Sequence, residues 1–310
     1  MDARRIGSLR VSVVGIGCNN FGRRLDQAAT DAVVHAALEA GVTLFDTADV
    51  YGDTRSEVML GRALGARRDE AVVATKFGMP LDDTRYGAAP AYVRRACEDS
   101  LARLGTDRID LYQLHYPDET VPIADTLGAL AELVNEGKVR EVGCSNFSAA
   151  QLREAAAAAG EGPAFASVQN QYSLLERSPE RDGVLDACGE LGVAFLPFYP
   201  LANGLLTGKV RPGEPPPEGS RLATMPPERA AHWHSPALFE VVGRLLEFST
   251  REGVPLLTLA FAWLLDHAPV ASVIAGASNP EQVRANAAAA TALAPDLRAA
   301  LDQLTAPRGP

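Results

Sequence analysis

Leu44–Gly52 reads LFDTADVYG: a short apolar run closes on a carboxylate, Asp46, and a phenol, Tyr51, follows beside a glycine. A run of that kind is a strand, and Thr54-x-x-Glu57 just beyond it fits a capping box that opens a helix. The same strand-then-helix order recurs outward in both directions. Strands are expected at Val13–Cys18, Val42–Thr47, Ala71–Lys76, Asp110–His115, Val139–Ser145, Ala166–Asn170, Val193–Phe198 and Val270–Ala275.

Helices are expected between them. One runs from about Thr30 to Ala40, capped by Thr30 and stopped by Gly41. Pro90–Leu104 carries Val93, Ala96, Cys97, Ser100, Leu101 and Leu104 on one face and ends at Gly105. Pro122–Glu136 closes at Gly137, and Ser148-x-x-Gln151 caps a helix running to Gly160. Ser178-Pro179 opens a helix with proline at its first position, and Gly192 stops it. Pro236–Glu252 and Pro255–His267 follow, and Asn279-Pro280 opens a final helix.

Short strands, apolar on both faces, imply a parallel sheet covered by helices. Eight such units in 310 residues fit a (β/α)8 TIM barrel, an α/β fold that typically takes about 250 residues. No linker or composition break divides the chain, so residues 1–310 read as one domain. Arg5, Gly7 and Leu9 alternate with other residues in a pattern suited to an N-terminal β-hairpin. Gly208–Ser235, with six prolines, is a long loop after strand 7 and reads as a mobile lid. An open doubly wound sheet is the other candidate. Its fingerprint fails, because Asn20 stands where Gly15-Ile16-Gly17 would require a third glycine.

The net charge of −10, from 39 acidic and 29 basic residues, argues against nucleic acid or an anionic membrane as partner. No apolar run is long enough to span a bilayer, and no secretory signal is visible. Cys18, Cys97, Cys144 and Cys188 are far apart, which suits free thiols in a reducing cytoplasm rather than a disulfide framework. The His232-Trp233-His234 triplet lacks a third ligand nearby, so no metal is expected. Gly204–Lys209 hints at a P-loop and fails, because Asn203 and Val210 occupy the required glycine and Ser/Thr positions.

Asp46, Lys76 and His115 each end an apolar strand, and in a barrel those ends form the reacting face. Tyr51 lies just beyond one of them. A phenol has an ordinary pKa near ~10, and an adjacent ammonium favours the phenolate. A carboxylate compensates the lysine, and a neutral imidazole can orient a substrate oxygen. Together they make a general acid for an alkoxide as it forms.

FDTADVYG, ATKFG, DLYQLH, VGCSNF, VQNQYSLLER, FYPLANGLLTGK and GASNPEQVRAN, in that order, resemble the aldo-keto reductase superfamily along nearly the whole chain. The resemblance implies reduction of an aldehyde or ketone, with the hydride from a reduced nicotinamide. It makes Tyr51 the proton donor, Lys76 and Asp46 its tuners, and His115 the orienting group. For the cofactor it implies Gly17, Cys18 and Asp46 along the first strands, and Ser145, Asn146 and Gln169 on the carboxamide. Phe198 would lie against the nicotinamide face. Tyr199, Pro200, Leu201, Asn203, Leu206, Gly208 and Lys209 would wrap the pyrophosphate. Gly276, Ser278, Gln282 and Asn286 would hold the adenosine end, with the helix N-terminus suited to a phosphate.

Two departures bear on the dinucleotide. Ala285 stands where a glutamate often contacts adenine, and neither Gly276 nor Asn279 offers a cation to a 2′-phosphate. Arg221 would supply that charge, so NADP(H) is expected, with NAD(H) as the alternative. Cys18, Asn19, Asn20, Phe21, Tyr86 and Trp233 are candidates for substrate contact. Two other functions compete. The potassium-channel β-subunit branch of the superfamily resembles this chain in GASN and PLA but tends to carry asparagine in place of His115. A Schiff-base isomerase or aldolase would need Lys76 uncharged, against its pairing with Asp46. Substrate and oligomeric state stay open.

Overall fold

In a computed structural model of the protein, residues 1–160, 162–226, 228, 233 and 235–306 are described. An antiparallel hairpin, β1 (Ala3–Ile6) and β2 (Leu9–Ser12), leads into a parallel sheet of eight strands. These are β3 (Val14–Gly17), β4 (Leu44–Asp46), β5 (Val72–Phe77), β6 (Ile109–Leu114), β7 (Val139–Ser145), β8 (Ser167–Gln171), β9 (Ala194–Phe198) and β10 (Val273–Ala275). Their order is β10-β3-β4-β5-β6-β7-β8-β9. A parallel bridge between Phe195 and Val270, just before β10, brings the two edges together. The result is a nearly closed (β/α)8 TIM barrel with its long loop after the seventh barrel strand, β9.

Strand alternation places the chemistry. Leu44, Val72, Ala74, Leu111, Leu196 and Ile274 form one buried cluster with Ile6, Leu9 and Val11 of the hairpin. Side chains two residues apart share a face. Beyond Leu44 comes Asp46, beyond Ala74 comes Lys76, and beyond Leu111 come Gln113 and His115. The barrel interior is therefore apolar toward the hairpin and polar toward the C-terminal ends of the strands. The hairpin closes the apolar end, fixed there by Arg4, which donates to the carbonyls of Val270 and Leu265.

Several helices differ from the expected bounds. α1 spans Gln27–Glu39, so Thr30 lies within it, and the cap is Asp26, whose carboxylate accepts from Ala29 N at 2.9 Å. α2 spans Arg55–Leu64 without the expected capping box. Thr54 sits at φ 69° and makes no side-chain cap, while Glu57 turns inward to other partners. α3 (Pro90–Leu104) and α4 (Ile123–Asn135) follow expectation within a residue. α5 (Ala149–Ala159) has the full Ser148–Gln151 capping box. The next expected helix is broken into α6 (Ser178–Arg181) and α7 (Val184–Leu191), because Gly183 between them has φ 71°.

Helices over Pro236–Glu252, Leu256–Leu265 and Pro280–Ala288 match those expected, and a further one, Pro295–Leu304, was not foreseen. Just before the long loop, Ala202–Thr207 forms a 3-10 helix. His232 and His234 lie outside the described residues. Among the described residues no group of His, Cys, Asp and Glu could hold a metal, and no helix is long and apolar enough to cross a membrane.

Candidate active site

Asp46 ends β4, Lys76 stands one residue before the end of β5, and His115 follows β6 directly. The barrel thus delivers all three to one end. Lys76 and Asp46 are buried and joined, Nζ to Oδ2, at 2.7 Å, and Nζ also donates to the Thr47 carbonyl at 2.9 Å. The other Asp46 oxygen accepts from Gln169 Nε2 at 2.8 Å and from Gln113 Nε2 at 3.2 Å. Asp46 is therefore a fixed, fully engaged anion. Burial pulls the lysine pKa down, yet the Asp46 charge and the Tyr51 phenol outweigh it and hold Lys76 above its ordinary value.

Tyr51 comes from the turn after β4. Gly52 shapes that turn at φ 59°, and a Cβ there would meet the Phe21 carbonyl at 2.5 Å. The half-buried Tyr51 ring has Lys76 Nζ 5.1 Å from its centroid and the His115 ring edge-on at 5.9 Å. Lys76 does favour the phenolate, as expected, but it does not set the net direction. Burial is the larger effect, and it pushes the phenol up to about 12. The imidazole moves the other way: burial first, then the Lys76 charge, brings His115 down to about 3. At neutral pH the end of the barrel therefore holds a protonated phenol and a neutral imidazole whose Nδ1 has no partner.

The residues expected around a dinucleotide fall into three sets. Ser145, Asn146 and Gln169 adjoin the tetrad of Asp46, Tyr51, Lys76 and His115: Ser145 Oγ donates to the Gln169 carbonyl at 2.6 Å, and Asn146 Nδ2 donates to the His115 carbonyl at 2.9 Å. Asn146 adopts φ 62°, which turns it across the strand ends. Gln169 spends its amide on Asp46, so it steadies the tetrad.

The second set gathers after β9. Phe198 and Tyr199 lie with rings edge-on at 5.2 Å, and the Arg221 guanidinium lies 5.4 Å from the Tyr199 ring. Arg221 Nη1 also reaches Asn203 Oδ1 at 3.4 Å. Leu201 and Gly208 are half-buried, Lys209 is exposed, and Pro200 and Leu206 are buried.

The third set lies where β3 and β10 end. Ser278 donates from N and Oγ to Gln282 Oε1 at 2.9 and 3.1 Å, and Asn279 caps the helix through Gln282 N at 2.9 Å. Gly17 approaches Gly276, which is exposed, while Asn286 is buried. Arg221 contacts the second set and has no hydrogen bond to this one. Cys18 is packed rather than open. Its side chain is fully buried, its N–H donates to Asp46 O at 2.8 Å, and its carbonyl accepts from Ser56 Oγ.

Asn20, also buried, reaches the Ala277 carbonyl at 3.5 Å, and Phe21 is buried in the core. Tyr86 is exposed on the loop after β5, and Trp233 is half-buried against the core. The surroundings fit a dinucleotide: an unpartnered imidazole nitrogen, an aromatic pair, a lone guanidinium and a capped helix start open along one end of the barrel. A cleft of about 530 Å³ lined by Arg4, Arg5 and Cys188 lies at the other end and touches none of these residues.

Four contributors escaped the sequence reading of the site. Gln113 shares the His115 face, two residues back, and that parity was the available signal. Tyr116, half exposed, stacks on His115 at 5.5 Å. Behind Lys76, Glu57 accepts from Thr75 Oγ1 and from Arg103 Nε, both at 2.6 Å, and Asp49 lies buried beside them. The sequence model of the Aldo/keto reductase family matches residues 13–306.

Proposed function

Because the chain belongs to the aldo/keto reductase family, we propose that it reduces an aldehyde or ketone to the alcohol, reversibly, with NADP(H) and with Tyr51 as proton donor. The observation that carries this reading is the buried Asp46–Lys76 pair beside a protonated Tyr51 and a neutral His115. A reduced nicotinamide supplies the hydride when bound.

The chain's residues supply the rest. His115, uncharged, can hydrogen-bond the carbonyl oxygen and turn it toward the phenol. Tyr51 gives its proton to that oxygen as negative charge develops there. Lys76 stabilises the phenolate that is left, and Asp46 keeps the lysine in place. Gln113 and Gln169 in turn hold Asp46, so the acid is tuned by an ordered hydrogen-bond row. Ser145 and Asn146 suit a carboxamide, Phe198 a flat ring, and the Asn279-capped helix start a phosphate.

Arg221 supports NADP(H) over NAD(H), because its charge has no ion-pair partner among the described residues and its side chain reaches from the long loop back to Asn203 and Tyr199 after β9. His115 in place of asparagine supports an enzyme rather than a regulatory subunit.

Tyr51→Phe removes the proton and leaves the ring. Carbonyl reduction should fall by at least about 10²-fold, while NADPH binding, followed by its fluorescence, stays within twofold or so. Unchanged turnover would remove Tyr51 as the acid.

A further inference from the structure

Asp49 lies two residues before Tyr51, in the same turn. It is fully buried, and neither carboxyl oxygen has a hydrogen-bond partner. Buried polar groups are almost always paired, so an orphaned carboxylate calls for an explanation. Its backbone N–H donates to the Lys76 carbonyl at 3.1 Å, which ties the Tyr51 turn to the strand that carries the lysine.

The charges around it are already matched. Glu57 on α2 and Arg103 on α3 form one pair at 2.6 Å, and Asp46 and Lys76 form another at 2.7 Å. No cation remains for Asp49. The other groups facing it are neutral: the hydroxyls of Tyr92 on α3 and Tyr112 on β6 lie within its electrostatic reach, and both are buried without partners. A pocket of that composition accommodates a carboxylic acid and not a carboxylate.

We propose that Asp49 is a positioning residue that works as a neutral acid: while it keeps its proton it seats the Tyr51 turn against the Lys76 strand, and when it loses that proton the turn shifts and carbonyl reduction falls. This rests on the function proposed above. The conditions for the switch are set by burial first and by the neighbouring Glu57 charge second, which push the Asp49 carboxyl up to about 7. Ionisation would leave a buried charge without an ion-pair partner, which the Val50 backbone N–H and the more distant Arg103 and Lys76 charges offset less than burial and Glu57 oppose it. The turn can relieve that charge by opening to water, or by drawing Lys76 away from Asp46. Either change displaces the group that Tyr51 relies on.

The sign for stability follows from the same geometry. The folded value lies above the unfolded carboxylate value near ~3.9, so the stabilisation is complete below about pH 4 and lost by about pH 7. Asp49→Asn, a neutral amide of the same shape, removes the dependence.

The test compares wild type with Asp49→Asn, using 4-nitrobenzaldehyde and NADPH between about pH 6 and about pH 9, with melting temperatures read alongside. Wild-type kcat should decline by up to about tenfold per pH unit above the switch, while the variant stays level. The variant's melting temperature should rise relative to wild type between about pH 5 and about pH 8.5.

Parallel pH profiles in the two proteins would overturn the proposal, as would a melting difference that does not change with pH. If neither protein reduces the aldehyde, it is the reading of the function that fails, and the melting comparison still decides whether Asp49 holds a proton. Asp49→Leu provides a further check: it removes the charge and the hydrogen bonding together, so it should stay level with pH but at lower kcat.

Discussion

His115 shows how one environment fixes both a role and a liability. Its position at the end of an apolar run was legible in DLYQLH, but its protonation state was not. That state depends on burial and on Lys76, which comes from a different strand. Gln113 was legible in principle, since alternation puts it on the same face, yet it reads as filler until Asp46 is seen to accept from it. The depressed His115 pKa has a sign. Unfolded imidazole titrates near ~6.5 and the folded one near 3, so the unfolded state gains protons first as pH falls. No penalty exists above about pH 6.5, and it grows to the order of 4 kcal/mol toward pH 3. His115→Gln should therefore lower the acid-unfolding midpoint, measured by circular dichroism. An unmoved midpoint would mean that the imidazole is already charged in the folded protein.

At the scale of elements, α2 and α3 form the wall behind the tetrad. A Cβ on Gly61 of α2 would meet the Leu104 carbonyl at 2.1 Å, so the two helices approach as closely as backbone permits. That approach lets Glu57 reach Arg103. The sequence reading took Glu57 as the second half of a capping box, because Thr54-x-x-Glu57 is a local pattern and Arg103 is far along the chain. The true partner became available only when α3 docked. The same limit explains the missed break at Gly183, where a left-handed turn interrupts an otherwise helical pattern. Glu57 is fully buried, and among the described residues Arg103 is its only cation at ion-pair distance. Arg103→Gln leaves that carboxylate unpaired beside Asp49 and should cost about 3 kcal/mol, at the lower end for a buried pair because Arg103 is partly exposed. A urea midpoint measures it. Adding Glu57→Gln should return part of the loss, and a double variant no better than the single would show that the ion pair is not the cause.

At the scale of the whole molecule, the barrel was the most legible feature, because each apolar strand and each glycine-stopped helix announces itself locally. Counting eight strand–helix units also pointed to a closed barrel, and the proline-rich run placed the long loop after its seventh strand; the structure bears out both. The Pro295–Leu304 helix went unread although Leu297, Leu301 and Leu304 share one face after a proline start. The alanine-rich run before it carries no periodicity to mark a boundary. The hairpin was read as a hairpin, but its task became clear only from its neighbours: Ile6, Leu9 and Val11 fill the end of the barrel away from the tetrad. This separates stability from chemistry along the barrel axis. Leu9 is 1% exposed, and Leu9→Ala should cost about 3 kcal/mol through lost burial and the cavity left behind. Between Leu9 and the tetrad stand Leu44, Val72 and Leu111, each in close-packed contact, so the polar row should keep its geometry in molecules that remain folded. The denaturation midpoint should fall while kcat at a temperature well below melting stays unchanged. A drop in kcat at full folding would show that the plug and the reacting end are coupled through those three side chains.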